Sequence, residues 1–203
     1  MILKLNNSEG FYLGFDISTT CIGISVLNEV GEIHELSHLE LKSDKDVLPE
    51  NRYIAKANAF KDYIQKYKCL DKPIKGIFIE DALNGSVNTF TVTMLLRFNA
   101  ICSYILYSEL MVIPEYITIH EVRKTLLPEY IKTTGNKQTL SIPKELDKKV
   151  VVREKLCKLY SDIPTIYDKK GGVSKFNFDI SDALAVNYSS LLKKGYITKN
   201  ISI

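Results

Sequence analysis

The apolar run FYLGFDI at 11–17 is rich in aromatic residues and predicts a buried central strand ending near a carboxylate, Asp16. CIGISVLNEVGEIHELSHLEL follows, with the turn signal NEVG between two apolar or alternating runs. It predicts a hairpin, so the first three strands form an antiparallel meander. Apolar residues Ile54, Ala57, Phe60 and Ile64 mark a helical stripe within 51–68. After Pro73, IKGIFIE predicts a short buried strand ending at Glu80. Residues 87–112 are apolar on more than one face and predict a long buried helix, with a surface open to a partner subunit. EYITIH predicts a fifth strand, and 127–143, with its Pro, Gly, Thr and Asn, a loop. KELDKKVVVREKLCKLY and ISDALAVNYSSLLKK predict two closing helices, the first basic, the second with Asp179 near its start. The order predicts one α/β domain over 1–203: a mixed five-stranded sheet, its first three strands antiparallel, flanked by helices.

Composition adds little until it is resolved along the chain. The 203 residues are 45% hydrophobic and 25% charged, as in an ordinary globular domain, with net charge +3. Residues 122–175, however, hold 13 Lys/Arg against 6 Asp/Glu, leaving −4 for the remainder. Such a block fits either a polyanion-facing surface or a solvated Lys-rich face. Cys21, Cys69, Cys102 and Cys157 are scattered without a C-x-x-C pair, which argues against structural zinc and a disulfide framework and fits a reducing compartment. Cys21 and Cys102 read as core thiols. The N-terminus lacks a long apolar segment, and AICSYILYSELMVI is interrupted by polar residues and is too short to span a bilayer. The expectation is a cytoplasmic protein with no membrane partner.

Four acids fall at element ends. Asp16 and Glu80 each follow apolar residues, where an unpaired carboxylate is costly to bury. Asp179 and Asp182, three apart, share one face of the last helix. An N-cap role for Asp179 and a helix-dipole role for Asp182 compete with a functional one. Asp81 reads as an acid facing the other way. Clustered carboxylates suit divalent cations with oxygen ligands, and a pair of such ions can activate water for phosphodiester cleavage. Spacing alone leaves the metal cluster and unrelated acids both open.

The pieces LGFDISTTCIGISVL, IFIEDAL, EYITIHEVRKTL, NKQTL…KKVVVREKL and FDISDALAVNY, in that order, resemble the RuvC family of Holliday-junction resolvases within the RNase H-like superfamily. The 87–100 segment is more similar to resolvases of large DNA phages, which would place the protein in a host cytoplasm. The resemblance implies an RNase H-like fold and a homodimeric crossover-junction endonuclease that cuts four-way or other branched DNA. It implies Mg2+ or Mn2+, two ions per site, held by Asp16, Glu80, Asp179 and Asp182, and no small-molecule cofactor. Gly23 matches the family's second-strand glycine, where a side chain would crowd the site. Ile17-Ser18 replaces the usual Pro or Gly, and Leu83 stands where bacterial members carry a stacking aromatic residue. Phe90 is the alternative for that role, although a core position is the simpler expectation for it.

The resemblance also orders the basic segment, read as an insertion at about 127–150. Lys148 or Lys149 is expected to offset charge at the scissile phosphate, and is counted with the catalytic set. Arg123, Lys124, Lys132, Lys137, Lys144, Lys148 and Lys149 are expected at the DNA, with Ser18 in the turn beside the cluster. His34, His38 and His120 are expected to be structural or exposed. GFDISTT also resembles the first phosphate motif of actin-like ATPases and sugar kinases, but a clear second D-x-G motif is missing. A non-catalytic branched-DNA-binding module is the third alternative.

Overall fold

The computed structural model describes residues 9–42, 49–81 and 89–198. Its centre is a five-stranded sheet of β1 (Phe11–Ile17), β2 (Cys21–Asn28), β3 (Ile33–Glu40), β4 (Ile74–Asp81) and β5 (Glu115–Thr118), ordered β3-β2-β1-β4-β5. β1, β2 and β3 pair antiparallel, whereas β4 and β5 are parallel to β1. This is the mixed sheet that the hydrophobic pattern predicts.

Alternation divides each central strand between two cores. Leu13, Phe15, Ile22, Ile24, Ile77 and Ile79 pack on one face beneath α1 (Pro49–Ile64) and α2 (Thr89–Leu110). Ala57, Phe60 and Ile64 of the α1 stripe are buried there, but Ile54 is exposed. Tyr12, Leu27 and Phe78 face the other core, formed with α3 (Ile119–Leu126), α4 (Lys148–Leu159) and α5 (Phe176–Lys193). By the same parity Asp16, Gly23 and Glu80 lie on the α5 face, and Asp81 on the opposite face. Buried Cys21 and Cys102 are core thiols, and all four cysteines are free.

α5 is tied to the sheet by buried polar contacts. Ser25 Oγ donates to the Ala183 carbonyl at 2.9 Å, and Asn187 Nδ2 donates to the Tyr12 carbonyl at 2.8 Å. These bonds satisfy groups that would otherwise be buried without partners.

Three expectations change. The 127–143 segment is not a plain loop: it contains the antiparallel ribbon β6 (Ile131–Thr134) and β7 (Lys137–Leu140). The strand expected over EYITIH stops at Thr118, because a Thr118/Glu121 capping box starts α3 there. α2, which contains the apolar stretch expected to be too short, is long and apolar enough by length and composition to cross a membrane. In this fold Phe98, Asn99, Cys102, Ile105 and Leu106 bury its inner face in the domain.

Candidate functional site

The site lies where β1 and β4 end and α5 begins. Asp16 is the penultimate residue of β1 and pairs with Gly23, which in turn pairs with His38 on β3. Glu80 occupies the neighbouring parallel strand, one position beyond the Phe15–Ile79 pair. α5 begins at Phe176, so Asp179 lies inside its first turn and is not the N-cap. Asp182 follows almost one turn later.

The four acids act on one another electrostatically. Burial pushes the Asp16 carboxyl well above its ordinary range, and the charges of Glu80 and Asp182 add to the shift. Asp179 acts on it in the same direction. Burial and Asp182 likewise push Glu80 up to about 7, against the pull of Arg123 and Lys149. Asp182 is raised by burial even though Lys149 is bound to it. Yet among the described residues no three acidic, His or Cys side chains are arranged to hold an ion. The carboxylates are gathered around a lysine, not closed around a common point.

That lysine is Lys149, whose Nζ lies 2.8 Å from Asp182 Oδ2. Burial works to lower its ammonium, but Asp182, Asp16 and Asp179 outweigh burial and hold it above its usual value. Asp147 caps α4 by accepting from the Lys149 and Val150 amides at 2.7 and 3.4 Å, which fixes Lys149 in the first turn. Lys148 points elsewhere, into a cleft it shares with Arg123 and Lys144.

The other expected contacts divide. Lys132, Lys137 and Lys144 are exposed. Lys124 Nζ donates to the Gln138 carbonyl at 2.9 Å, so it braces the ribbon. Ser18 does not present a free hydroxyl to DNA: Oγ donates to the Cys21 carbonyl at 2.7 Å and accepts from the Cys21 amide at 3.0 Å, closing the β1–β2 turn. Phe90 is 73% exposed at the start of α2, contrary to the core position expected for it. Leu83 lies outside the described residues. His34 and His120 are exposed, while His38 stacks on Phe176 at 4.2 Å and braces the start of α5.

Two supports are not evident in the sequence. Arg153, one helical turn after Lys149, donates to Ser181 Oγ at 2.9 Å, the Asn177 carbonyl at 3.1 Å and the Pro164 carbonyl at 3.2 Å. It locks α4 to the part of α5 that carries the acids. Its i+4 spacing from Lys149 is the only sequence signal, since two of its partners are main-chain carbonyls. Cys21 is the second: its thiol is buried, and burial, with the charge of Asp179, pushes it up.

This sheet order, with helices on both faces and acids at the strand ends, defines an RNase H-like domain of RuvC-like architecture. Thermus thermophilus RuvC in complex with a Holliday junction substrate superimposes with a TM-score of 0.56 at 9% identity, covering 92% of this chain and 96% of that one. A second Thermus thermophilus RuvC structure gives 0.54 at 11% identity, covering 91% and 96%. A ROK hexokinase from the same organism reaches 0.34 at 13% identity over 62% of this chain and 40% of its own. No family model and no curated protein sequence matches the chain.

Proposed function

We propose that this protein is a metal-dependent endonuclease that cuts four-way or other branched DNA by paired phosphodiester hydrolysis. The observation that carries the proposal is the convergence of Asp16, Glu80, Asp179 and Asp182 on one lysine at the strand ends of an RNase H-like sheet. Burial drives three of these carboxyls upward, so the site favours added positive charge. An all-carboxylate donor set suits Mg2+ or Mn2+, held by these four residues, two ions per site. Bound there, the metal would activate water and stabilise the leaving oxygen.

The chain's own residues supply the rest. β1 and β4 fix two carboxylates, and α5, braced by Arg153 and His38, carries the others. Of the two candidate lysines, Lys149 reaches the cluster and is suited to offset charge on the scissile phosphate once it leaves Asp182. Lys148, Lys144 and Arg123 line the adjoining cleft, suited to the DNA backbone.

Incubation of the protein with a labelled four-way junction and a linear duplex, in Mg2+ or EDTA, tests the reading. Paired nicks in the junction alone, lost in EDTA, are expected. Junction binding without nicks would instead support a DNA-binding module, and ATP turnover without nicks an ATPase.

The outer face of α2 supports a homodimer. Leu96, Ile101, Tyr104 and Tyr107 are 38–70% exposed along it. A contiguous apolar face of this kind suits a second copy of the chain. Ile101→Glu with Tyr104→Glu should convert a dimer to a monomer in sedimentation or light scattering. An unaltered mass would remove α2 from the interface.

A further inference from the structure

We propose that the β6–β7 ribbon enters the major groove of a duplex arm beside the cut and reads base edges, setting the cut-site preference. The inference rests on the nuclease reading above and deepens it.

The ribbon is unusual in having both faces almost free. Only Ile131 and Leu140 at its base are half-buried; Lys132 to Thr139 are exposed. Its register pairs Lys132 with Thr139 and Thr134 with Lys137, so these four side chains share one face. Thr133 and Gln138 share the other face with the base pair Ile131–Leu140. Gly135, at φ 59, opens the two-residue turn, a conformation a side chain there would oppose. Asn136 completes the tip.

Chemistry and position both point to DNA. From 131 to 144 the chain has three lysines and no acid. The remaining exposed side chains of the ribbon are Thr, Asn and Gln, which can pair with base edges. A two-stranded ribbon fits a major groove about 12 Å wide, where Lys suits guanine, Asn suits adenine, and a Thr methyl suits the thymine methyl. The Lys124–Gln138 bond props the ribbon against α3. Between them opens a cleft of about 640 Å³, lined by Arg123, Leu140, Ser141, Lys144 and Lys148. Lys148, which lines the cleft, is followed in the chain by Lys149, whose Nζ lies 2.8 Å from Asp182, so the cleft adjoins the carboxylates. A duplex held there would place the bases beside the cut against Thr134, Lys137 and Thr139.

The test uses the full chain and a junction with a mobile homologous core, which offers many cut positions. The wild type should cut a few of them strongly. Thr134→Val with Thr139→Val, which keeps the methyls and removes the hydroxyls, should even out the relative cutting at the positions. Lys132→Ala should weaken binding to all positions alike and lower the salt slope by about 1, whereas Lys137→Ala should change the pattern of cut positions. If the wild type cuts but shows no positional preference, or if the Thr pair and Lys137→Ala keep the wild-type pattern, the ribbon does not read bases and the nuclease reading stands. If the wild type makes no cuts in Mg2+, the nuclease reading fails and takes this inference with it.

Discussion

Asp16→Asn should abolish metal-dependent junction cleavage while raising the melting temperature of the metal-free protein. Groups behind a metal ligand typically cost 10–100-fold when lost, so a direct ligand should cost at least ~100-fold. The stability effect follows from the charge. Asp16 is held well above its ordinary range by burial and then by Glu80 and Asp182. An acid with a raised folded-state pKa binds its proton more tightly folded than unfolded. Its ionised form therefore destabilises the fold, and stability falls as pH rises. For Glu80 the fall runs from about 4.5, its ordinary value, to about 7. Asparagine removes one charge from the cluster, so the melting temperature should rise. Added Mg2+ should then stabilise the wild type more at pH 8 than at pH 5.5, and Asp16→Asn little at either. Thermal melts at both pH values check this. A lower melting temperature for the variant, together with an unchanged Mg2+ response, would make Asp16 a structural cap.

Gly23→Ala should cost activity without costing DNA affinity. A methyl group at this β2 position would overlap the Asp179 main-chain carbonyl, and a carbonyl in a helix cannot rotate away. α5 must move off the sheet and take Asp179 and Asp182 with it. A displacement near 1 Å can cost about 100-fold in rate, and overpacking about 1–3 kcal/mol in stability. Junction affinity, which the proposal assigns to the cleft and ribbon, should stay within about 2-fold. Gly76→Ala is the control: its added carbon meets only the rings of Tyr12 and Phe78, at 3.1 and 3.2 Å. It should lose stability and keep activity. Equal rate losses in the two variants would mean that Gly23 matters only for packing.

The contrast between Gly23 and Arg153 shows what the sequence discloses. The sheet was legible because alternation and apolar runs record which face of each strand is buried, and Asp16 and Glu80 stood out because they follow such runs, whereas Asp179 and Asp182 were marked only by their spacing. Gly23 was legible only through the resemblance, which matches it to the family's second-strand glycine. Arg153 was not, because its partners on α5 and at Pro164 are fixed by helix packing that local pattern does not encode. Lys148 and Lys149 were indistinguishable until the Asp147 cap set the phase of α4. The ribbon was missed because short strands of Thr, Lys and Gln with both faces exposed carry no hydrophobic period. Phe90 misled for the opposite reason: an aromatic residue beside an apolar helix reads as core whichever way it points.

The gathering of acids from β1, β4 and the start of α5 has a consequence for synthesis of the chain. Asp16 leaves the ribosome well before Asp179 and Asp182, which come only with α5. β1 and β2 must therefore wait for the helix that covers Gly23 and accepts the Ser25 hydrogen bond. A nascent or prematurely terminated chain has two of the four carboxylates and no α5 to position Lys149. The four acids can therefore come together only once α5 has been made and has packed on the sheet.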